Sequence, residues 1–269
     1  MALPDPRHFR HIVCLTGAGI SAESGLATFR DKNGLWENHP VEDVATPEAF
    51  ARDPQLVWRF YSLRRQDAAR AAPNVAHQAL DHFAAGFTGQ FTLVTQNVDG
   101  LHQRAATKGH LDPLCMHGTL ARSRCTGCAT VYWDDRAWVG ESIGPTGLLG
   151  PSEKASTENL AHYEVALHQG LPLSPCCGKL LRPHIVWFGE VPLHMPRIGR
   201  ELDTCDLFVS VGTSGAVYPA AGFLEAAKRR GATTVCLNLE PIPQTPWVDH
   251  FIQGPATAVV PSFFSPVTG

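Results

Sequence analysis

The chain has 269 residues, of which 44% are apolar and 17% charged, with a net charge of −3. That length holds one large domain, or one domain with a second inserted into it, and the composition excludes a disordered chain. The near-balanced charge gives no strong pull toward nucleic acid or anionic lipid, so neither is expected as a partner.

The opening MALPDPRHFRHIV has two early prolines and no apolar h-region, so no secretory signal is expected there. No apolar run in the sequence approaches the roughly 20 residues of a membrane span. Eight cysteines without such a signal point to a reducing, cytoplasmic setting. The run HIVCLTG at 11–17 reads as a buried strand. It leads into Gly17-x-Gly19-x-x-Ala22, the permissive form of the dinucleotide fingerprint with Ala for the third Gly. A tight turn before a helix is the plainer alternative. The ribose-binding acid usual about 20 residues on has no strand-end candidate, because Glu37 and Glu42 fall in an insertion. Hydride transfer is therefore disfavoured.

Residues 31–80 read as helices and loops, with Thr46 capping a helix that starts at Pro47. Tyr61 and Arg64 are three apart on a predicted helix and share a face. The run FTLVTQN at 91–97 is the second strand, and Gln96, Asn97 and Asp99 gather at its end. They form either an Asn/Asp-capped turn or a set of ligand-binding groups. His117, just before Gly118, is either a structural histidine or a general base. Residues 119–181 hold Cys125-x-x-Cys128 and the adjacent pair Cys176-Cys177. The stretch GESIGPTGLLGPSEKASTENL between them predicts a mobile surface insertion.

Strands follow at 205–213 (CDLFVSVGT) and 233–240 (TTVCLNLE), around a helical YPAAGFLEAAKRRGA. This alternation predicts an α/β fold, a doubly wound, Rossmann-like parallel sheet that binds its ligand at the carboxyl ends of the strands. Thr16-Gly17, Thr95-Gln96-Asn97, Gly212-Thr213-Ser214 and Asn238 fall at four such ends, so one ligand would touch all four. The dinucleotide domain is expected over 1–30, 81–118 and 182–269. A smaller inserted domain is expected from 31–80 and 119–181.

Five segments in this order, TGAGISAESGLATFR, TQNVDGLH, HG, RPHIVWFGE and VGTSGAVYPAA, carry a resemblance. They resemble the sirtuin family of NAD-dependent protein-lysine deacylases, over about residues 10–263, and most closely the bacterial sirtuins that also remove acidic acyl groups. The resemblance implies NAD as a co-substrate, held so that its glycosidic bond is broken. Gly17, Ala18, Gly19 and Glu23 would surround the diphosphate. Phe29 and Arg30 would cover the nicotinamide side, and Trp36 is assigned to the same cofactor site. Gln96, Asn97 and Asp99 would hold the ribose and the nicotinamide amide. Gly212, Thr213, Ser214, Asn238, Leu239 and Glu240 would line the adenosine half, with Ala256 near the adenine.

In the family's reaction the acyl oxygen displaces nicotinamide at the anomeric carbon. A ribose hydroxyl, deprotonated through His117, then closes on the imidate, and water releases free lysine and O-acyl-ADP-ribose. Such chemistry needs orientation and a dry pocket more than a protein nucleophile. Val186, Trp187, Phe188 and Gly189 would line the acyl-lysine tunnel. The substrate peptide would add as a strand between them and Gly215–Val217. Tyr61-x-x-Arg64 is similar to the signature of sirtuins that accept succinyl- and malonyl-lysine, and Ala45 matches the small residue that opens that pocket. Arg suits this task because its planar fork can grip a carboxylate at two points. Ala27 stands where many sirtuins have proline, and Asp31 where many have glycine or alanine.

The resemblance also implies one structural zinc held by two cysteine pairs. Cys125 and Cys128 form the first pair, and Cys177 sits where the last ligand belongs. The position three residues before it is Ser174. Cys176 is the remaining thiol, but its adjacency to Cys177 counts against a shared metal; nothing in the spacing singles out His162 or His168 instead. Two other functions stay open: mono-ADP-ribosyl transfer or NAD hydrolysis, and an NAD-binding regulatory protein with a vestigial site. His117, Asn97 and Asp99 together favour an active enzyme, expected to be a monomer.

Overall fold

The computed structural model describes residues 3–27, 35–36, 39–106, 111–243 and 245–265. Its main strands are β1 (His11–Thr16), β2 (Gln90–Thr95), β3 (Leu114–Cys115), β4 (Gly118–Cys125), β5 (Val131–Trp133), β6 (Leu181–Ile185), β7 (Leu207–Val211), β8 (Thr233–Asn238) and β9 (His250–Gln253). Its main helices are α1 (Pro47–Arg52), α2 (Pro54–Arg70), α3 (Val75–Gly86), α4 (Met195–Thr204), α5 (Phe223–Arg229) and α6 (Ala256–Phe264).

Six strands form one wholly parallel sheet in the order β9-β8-β7-β1-β2-β3. The period-two alternation of side chains decides its faces. Ile12, Cys14, Leu93, Val209 and Val235 pack with α3 and α6 on one side. Val13, Leu15, Val94, Phe208 and Cys236 pack with α4 and α5 on the other. The chain winds outward from β1 through β2 to β3, then returns to wind outward from β7 through β8 to β9. The order therefore reverses between β1 and β7, the place where such sheets open a ligand crevice.

The four strands read from the sequence are present. The two edge strands were not read, because β3 has only two residues and β9 is half exposed along its length. The expected division at residue 80 falls inside α3, whose Ala76, Leu80 and Phe83 pack against the sheet. No helix among the described residues is long and apolar enough to cross a membrane.

A separate apolar cluster joins α1 and α2 to the antiparallel sheet β6-β4-β5. Thr46 caps α1 as expected, its hydroxyl accepting from the Ala49 amide at 3.0 Å. The insertion expected at 140–160 is largely exposed, as a surface segment, but has buried anchor points. Leu148, Leu149 and Leu160 are buried, Gly144–Pro145 pairs with Arg136–Ala137, and the Asp135 carboxylate accepts from Gly147 N at 2.9 Å. Three leucines anchor a stretch whose polar and glycine content suggested none.

Arg65 is fully buried at the centre of this cluster. It donates to the carbonyls of Leu120 (2.7 Å), Arg136 (2.6 Å) and Arg122 (3.1 Å), to Ser123 Oγ (3.0 Å), and to Asp134 Oδ2 (3.0 Å). Asp134 also accepts from Trp138 Nε1 at 2.9 Å. One guanidinium thus ties α2 to both β4 and the segment after β5. Removing it would leave a buried carboxylate without its cation and three carbonyls without this donor. Arg65→Met should lower unfolding free energy by about 3–5 kcal/mol. Urea denaturation checks this, and a loss under about 1 kcal/mol would contradict the role.

Candidate active site

At the sheet reversal, the loops after β1 and β7 meet backbone to backbone. Gly17 N donates to Val211 O at 2.9 Å and Gly19 N to Gly212 O at 2.8 Å. A Cβ at Gly19 would come within 2.7 Å of Gly212 Cα, and Gly212 itself has φ +57°. Only glycine fits this contact. The loops open onto a cavity of about 800 Å³ lined by Gly17, Ala18, Gly19, Gln96, Asn97, Asp99, Gly212, Thr213, Ser214, Asn238 and Leu239.

The polar groups at the strand ends hold one another. Gln96 Nε2 donates to Thr213 Oγ1 at 3.1 Å, and Asn238 Nδ2 donates to Thr213 O at 3.0 Å. Asn97 Nδ2 donates to Gly17 O at 3.0 Å and to Ser21 Oγ at 3.2 Å, while the Ser21 hydroxyl donates to Asp99 Oδ2 at 2.7 Å. Leu101 N donates to the other Asp99 oxygen at 2.9 Å. Burial raises the Asp99 carboxyl, against these two bonds. Ser21 was not singled out from the sequence. Its signal was its place inside the glycine loop.

His117 lines the same cavity, half-buried. Its Nδ1 lies 3.1 Å from Gln96 O, and a carbonyl can only accept, so Nδ1 carries the proton. The neutral ring then presents Nε2 as an acceptor. Burial lowers the pKa of His117, opposed by the bond to Gln96. Gly118 has φ +84°, and a Cβ there would collide with the His184 carbonyl, so the turn that carries His117 requires glycine.

The other end of the cavity is lined by Ala45, Tyr61, Arg64, Val186, Trp187, Phe188, Gly189 and Val217. The 186–189 loop is tied down on three sides. Val186 N donates to His117 O (2.9 Å), Phe188 N to Ala45 O (3.0 Å), and Trp187 Nε1 to the Tyr61 hydroxyl (3.0 Å). Arg182 grips Glu190 at two points, 2.7 and 2.9 Å, and Glu190 accepts from Trp187 N at 2.8 Å. Tyr61 is fully buried, and burial raises its pKa.

Some residues assigned from the sequence lie elsewhere. Both Glu23 carboxylate oxygens are bound by Thr257, to its N at 2.9 Å and its Oγ1 at 2.5 Å. Glu23, Glu240 and Ala256 are not among the residues lining the cavity. Ala256 is buried at the start of α6. Phe29, Arg30 and Asp31 lie outside the described residues. Trp36 is described by its backbone alone, where Leu35–Trp36 pairs with His39–Pro40.

At the far end of β4, the sulfurs of Cys125, Cys128, Cys176 and Cys177 all lie within 4.8 Å of one another. The separations are 3.3 Å for Cys125–Cys177 and 2.7 Å for Cys128–Cys176. His162 instead contacts Lys154 O at 2.9 Å.

A profile described as the Sir2 family matches residues 17–219. The chain belongs to the Sir2 family. It is 45% identical to the NAD-dependent protein deacylase of Pasteurella multocida (strain Pm70), over 94% of this chain and 96% of that one. It is 48% identical to the NAD-dependent protein deacylase of Vibrio vulnificus (strain YJ016), over 87% and 83%. A solved Sir2 homolog–NAD complex matches with TM-score 0.77 and 36% identity, covering 96% of this chain and 89% of that one. A Sir2–p53 peptide–NAD+ complex matches with TM-score 0.71 and 25% identity, covering 94% and 91%.

The four cysteines of this sirtuin fit one structural zinc. Tetrahedral ligands at about 2.3 Å put sulfurs about 3.8 Å apart, inside the spread seen here. The adjacency of Cys176 and Cys177, which counted against a shared ion, is overcome by a tight turn in which Gly178 N donates to Ser174 O at 2.9 Å. Purified protein should carry about one zinc per chain, and Cys176→Ser should lose it as completely as Cys128→Ser. Elemental analysis measures both, and full zinc in Cys176→Ser would remove it from the ligand set.

Proposed function

We propose that this sirtuin is an NAD-dependent protein-lysine deacylase. One observation carries the reading. His117 sits in a single cavity between the glycine-loop end and the 186–189 loop, with its Nδ1 bonded to Gln96 O. The cradle at Gly17 and Gly19, where a Cβ would strike backbone, and the polar ends of four strands fit a dinucleotide. NAD, when bound, supplies the ribose carbon from which nicotinamide departs. Asn97 and Asp99, linked through Ser21, would orient the ribose end. Gly212, Thr213, Ser214, Asn238 and Leu239 would hold the adenosine half. His117 Nε2 would take the ribose hydroxyl proton. The acyl-lysine would enter beside Val186–Gly189, its peptide pairing as an added strand with that loop and Gly215–Val217.

The deciding assay is nicotinamide release from NAD with and without an acylated peptide. Peptide-dependent release is expected; peptide-independent release would indicate NAD hydrolysis or ADP-ribosyl transfer, and no release a vestigial site. His117→Ala should bind NAD yet lose about 10²-fold or more in deacylation. The pH dependence has a definite sign. The neutral ring is the base and burial lowers its pKa, so activity is lost only as pH falls through a value below the ordinary 6.5. An acid limb of kcat/KM centred above 6.5, or an unchanged limb in His117→Ala, would reassign the base.

Acidic acyl groups are read as substrates alongside acetyl. Tyr61 and Arg64 both face the cavity beside Ala45, and the Arg64 side chain is 13% exposed. A sheltered guanidinium can donate two bonds to a distal carboxylate. Arg64→Met should lower the succinyl-to-acetyl ratio of kcat/KM by about tenfold or more, equivalent to ~1.4 kcal/mol. Equal losses on both peptides would make Arg64 a residue of the fold and not of acyl choice.

A further inference from the structure

The acyl end of the cavity carries a carboxylate of its own. Asp67 follows Arg64 by three residues on α2, and Arg64 Nη2 donates to Asp67 Oδ2 at 2.7 Å. Arg70, three residues further on, brings its Nη1 to 3.7 Å from Asp67 Oδ1. Tyr61, Arg64, Asp67 and Arg70 all line the cavity. Exposure grades along this face, from 13% for the Arg64 side chain to 42% for Asp67 and 77% for Arg70. The interior cation is therefore already bonded to an anion at the rim, while the second cation stands in water, where its field is screened.

From this placement we infer that Asp67 is a specificity-determining residue, an internal carboxylate that competes with the acidic acyl group for Arg64 and holds the enzyme toward uncharged acyl groups. The inference rests on the reading of Arg64 as the acyl anchor. A guanidinium has two edges that bind a carboxylate at two points, and Nη2 belongs to both. An incoming succinyl carboxylate must share Nη2 with Asp67, displace it, or settle for one bond. Sharing sets two like charges close together in a partly dry pocket, which disfavours binding. Displacement breaks the existing ion pair. An acetyl group makes no demand on the guanidinium and meets neither cost. Asp67 thus acts on the difference between substrates.

The test is a double-mutant cycle on one peptide carrying either acetyl- or succinyl-lysine, reading the succinyl-to-acetyl ratio of kcat/KM. Asn keeps the shape and removes the charge. Asp67→Asn should raise the ratio about tenfold or more, equivalent to ~1.4 kcal/mol. In an Arg64→Met background the same substitution should move it less than about threefold, because the contested group is gone. An unchanged ratio in Asp67→Asn overturns the proposal. A lowered ratio overturns it too, since Asp67 would then be orienting Arg64 and not competing for it. So does an equal rise in both backgrounds, which would place the effect in the general field of the cavity. The underlying reading fails separately, if Arg64→Met alone leaves the ratio unmoved. A thermal melt of each variant separates these outcomes from loss of fold.

Discussion

Two strand-end loops meet at the centre of the sheet with no side chain between them. Gly17 and Gly19 bond through their amides to Val211 and Gly212 carbonyls, and a Cβ at any of the three glycines would lie within 2.8 Å of the opposing backbone. The glycines of a dinucleotide fingerprint are usually explained by the approach of the ligand. Here the approach of the second loop already requires them. Lining up β1 and β7 in this way fixes where Thr213 stands, and Gln96 and Asn238 bond to Thr213 from either side. Asn97 bonds to the Gly17 carbonyl itself. These bonds hold the polar ends of the strands around one crevice.

From that crevice rigidity passes outward along β4. Its first residue, Gly118, makes the turn that aims His117, and its last, Cys125, belongs to the cysteine cluster. Eight steps of extended chain separate base from metal site, roughly 25 Å. A zinc there is too far away to touch a reacting atom. Its role would be to fix the far end of the sheet β6-β4-β5, whose β6 leads into the 185–190 loop clamped by Arg182 and Glu190. The bond from Val186 N to His117 O closes the circuit between the tunnel wall and the base.

Much of this was legible in the chain. Short apolar runs that end in glycine, threonine or asparagine mark buried parallel strands strongly, because both faces of such strands must be apolar. Four of six were read that way. Strands β3 and β9 were not, since an edge of two to four residues carries no periodicity. The glycine loop, the Gln96–Asp99 cluster and His117 announce themselves as polar groups at strand ends. Ser21 does not, because one hydroxyl among small residues gives no pattern, and its importance appears only when Asn97 and Asp99 converge on it. The anchor points within 140–160 were missed for a related reason. Composition reports the average of a segment, whereas Leu148, Leu149 and Leu160 anchor it individually.

The neighbours Arg64 and Arg65 mark the limit of sequence reasoning most sharply. They have the same side chain and the same helix, and a step of about 100° separates their directions. That step turns Arg65 into the core, where five hydrogen bonds, one of them to the Asp134 carboxylate, compensate its charge. It leaves Arg64 on the cavity wall, with Asp67 as its ion-pair partner. Arg65 turns inward beside Trp58, its guanidinium 5.2 Å from that ring, while Arg64 lies three residues from Tyr61 and lines the cavity with it. Exchanging the two roles would need only a one-residue slip of α2, which the Asp53 cap on Leu56 N resists by fixing where the helix begins. The acyl end of the cavity is thus positioned by a helix start three turns away from it.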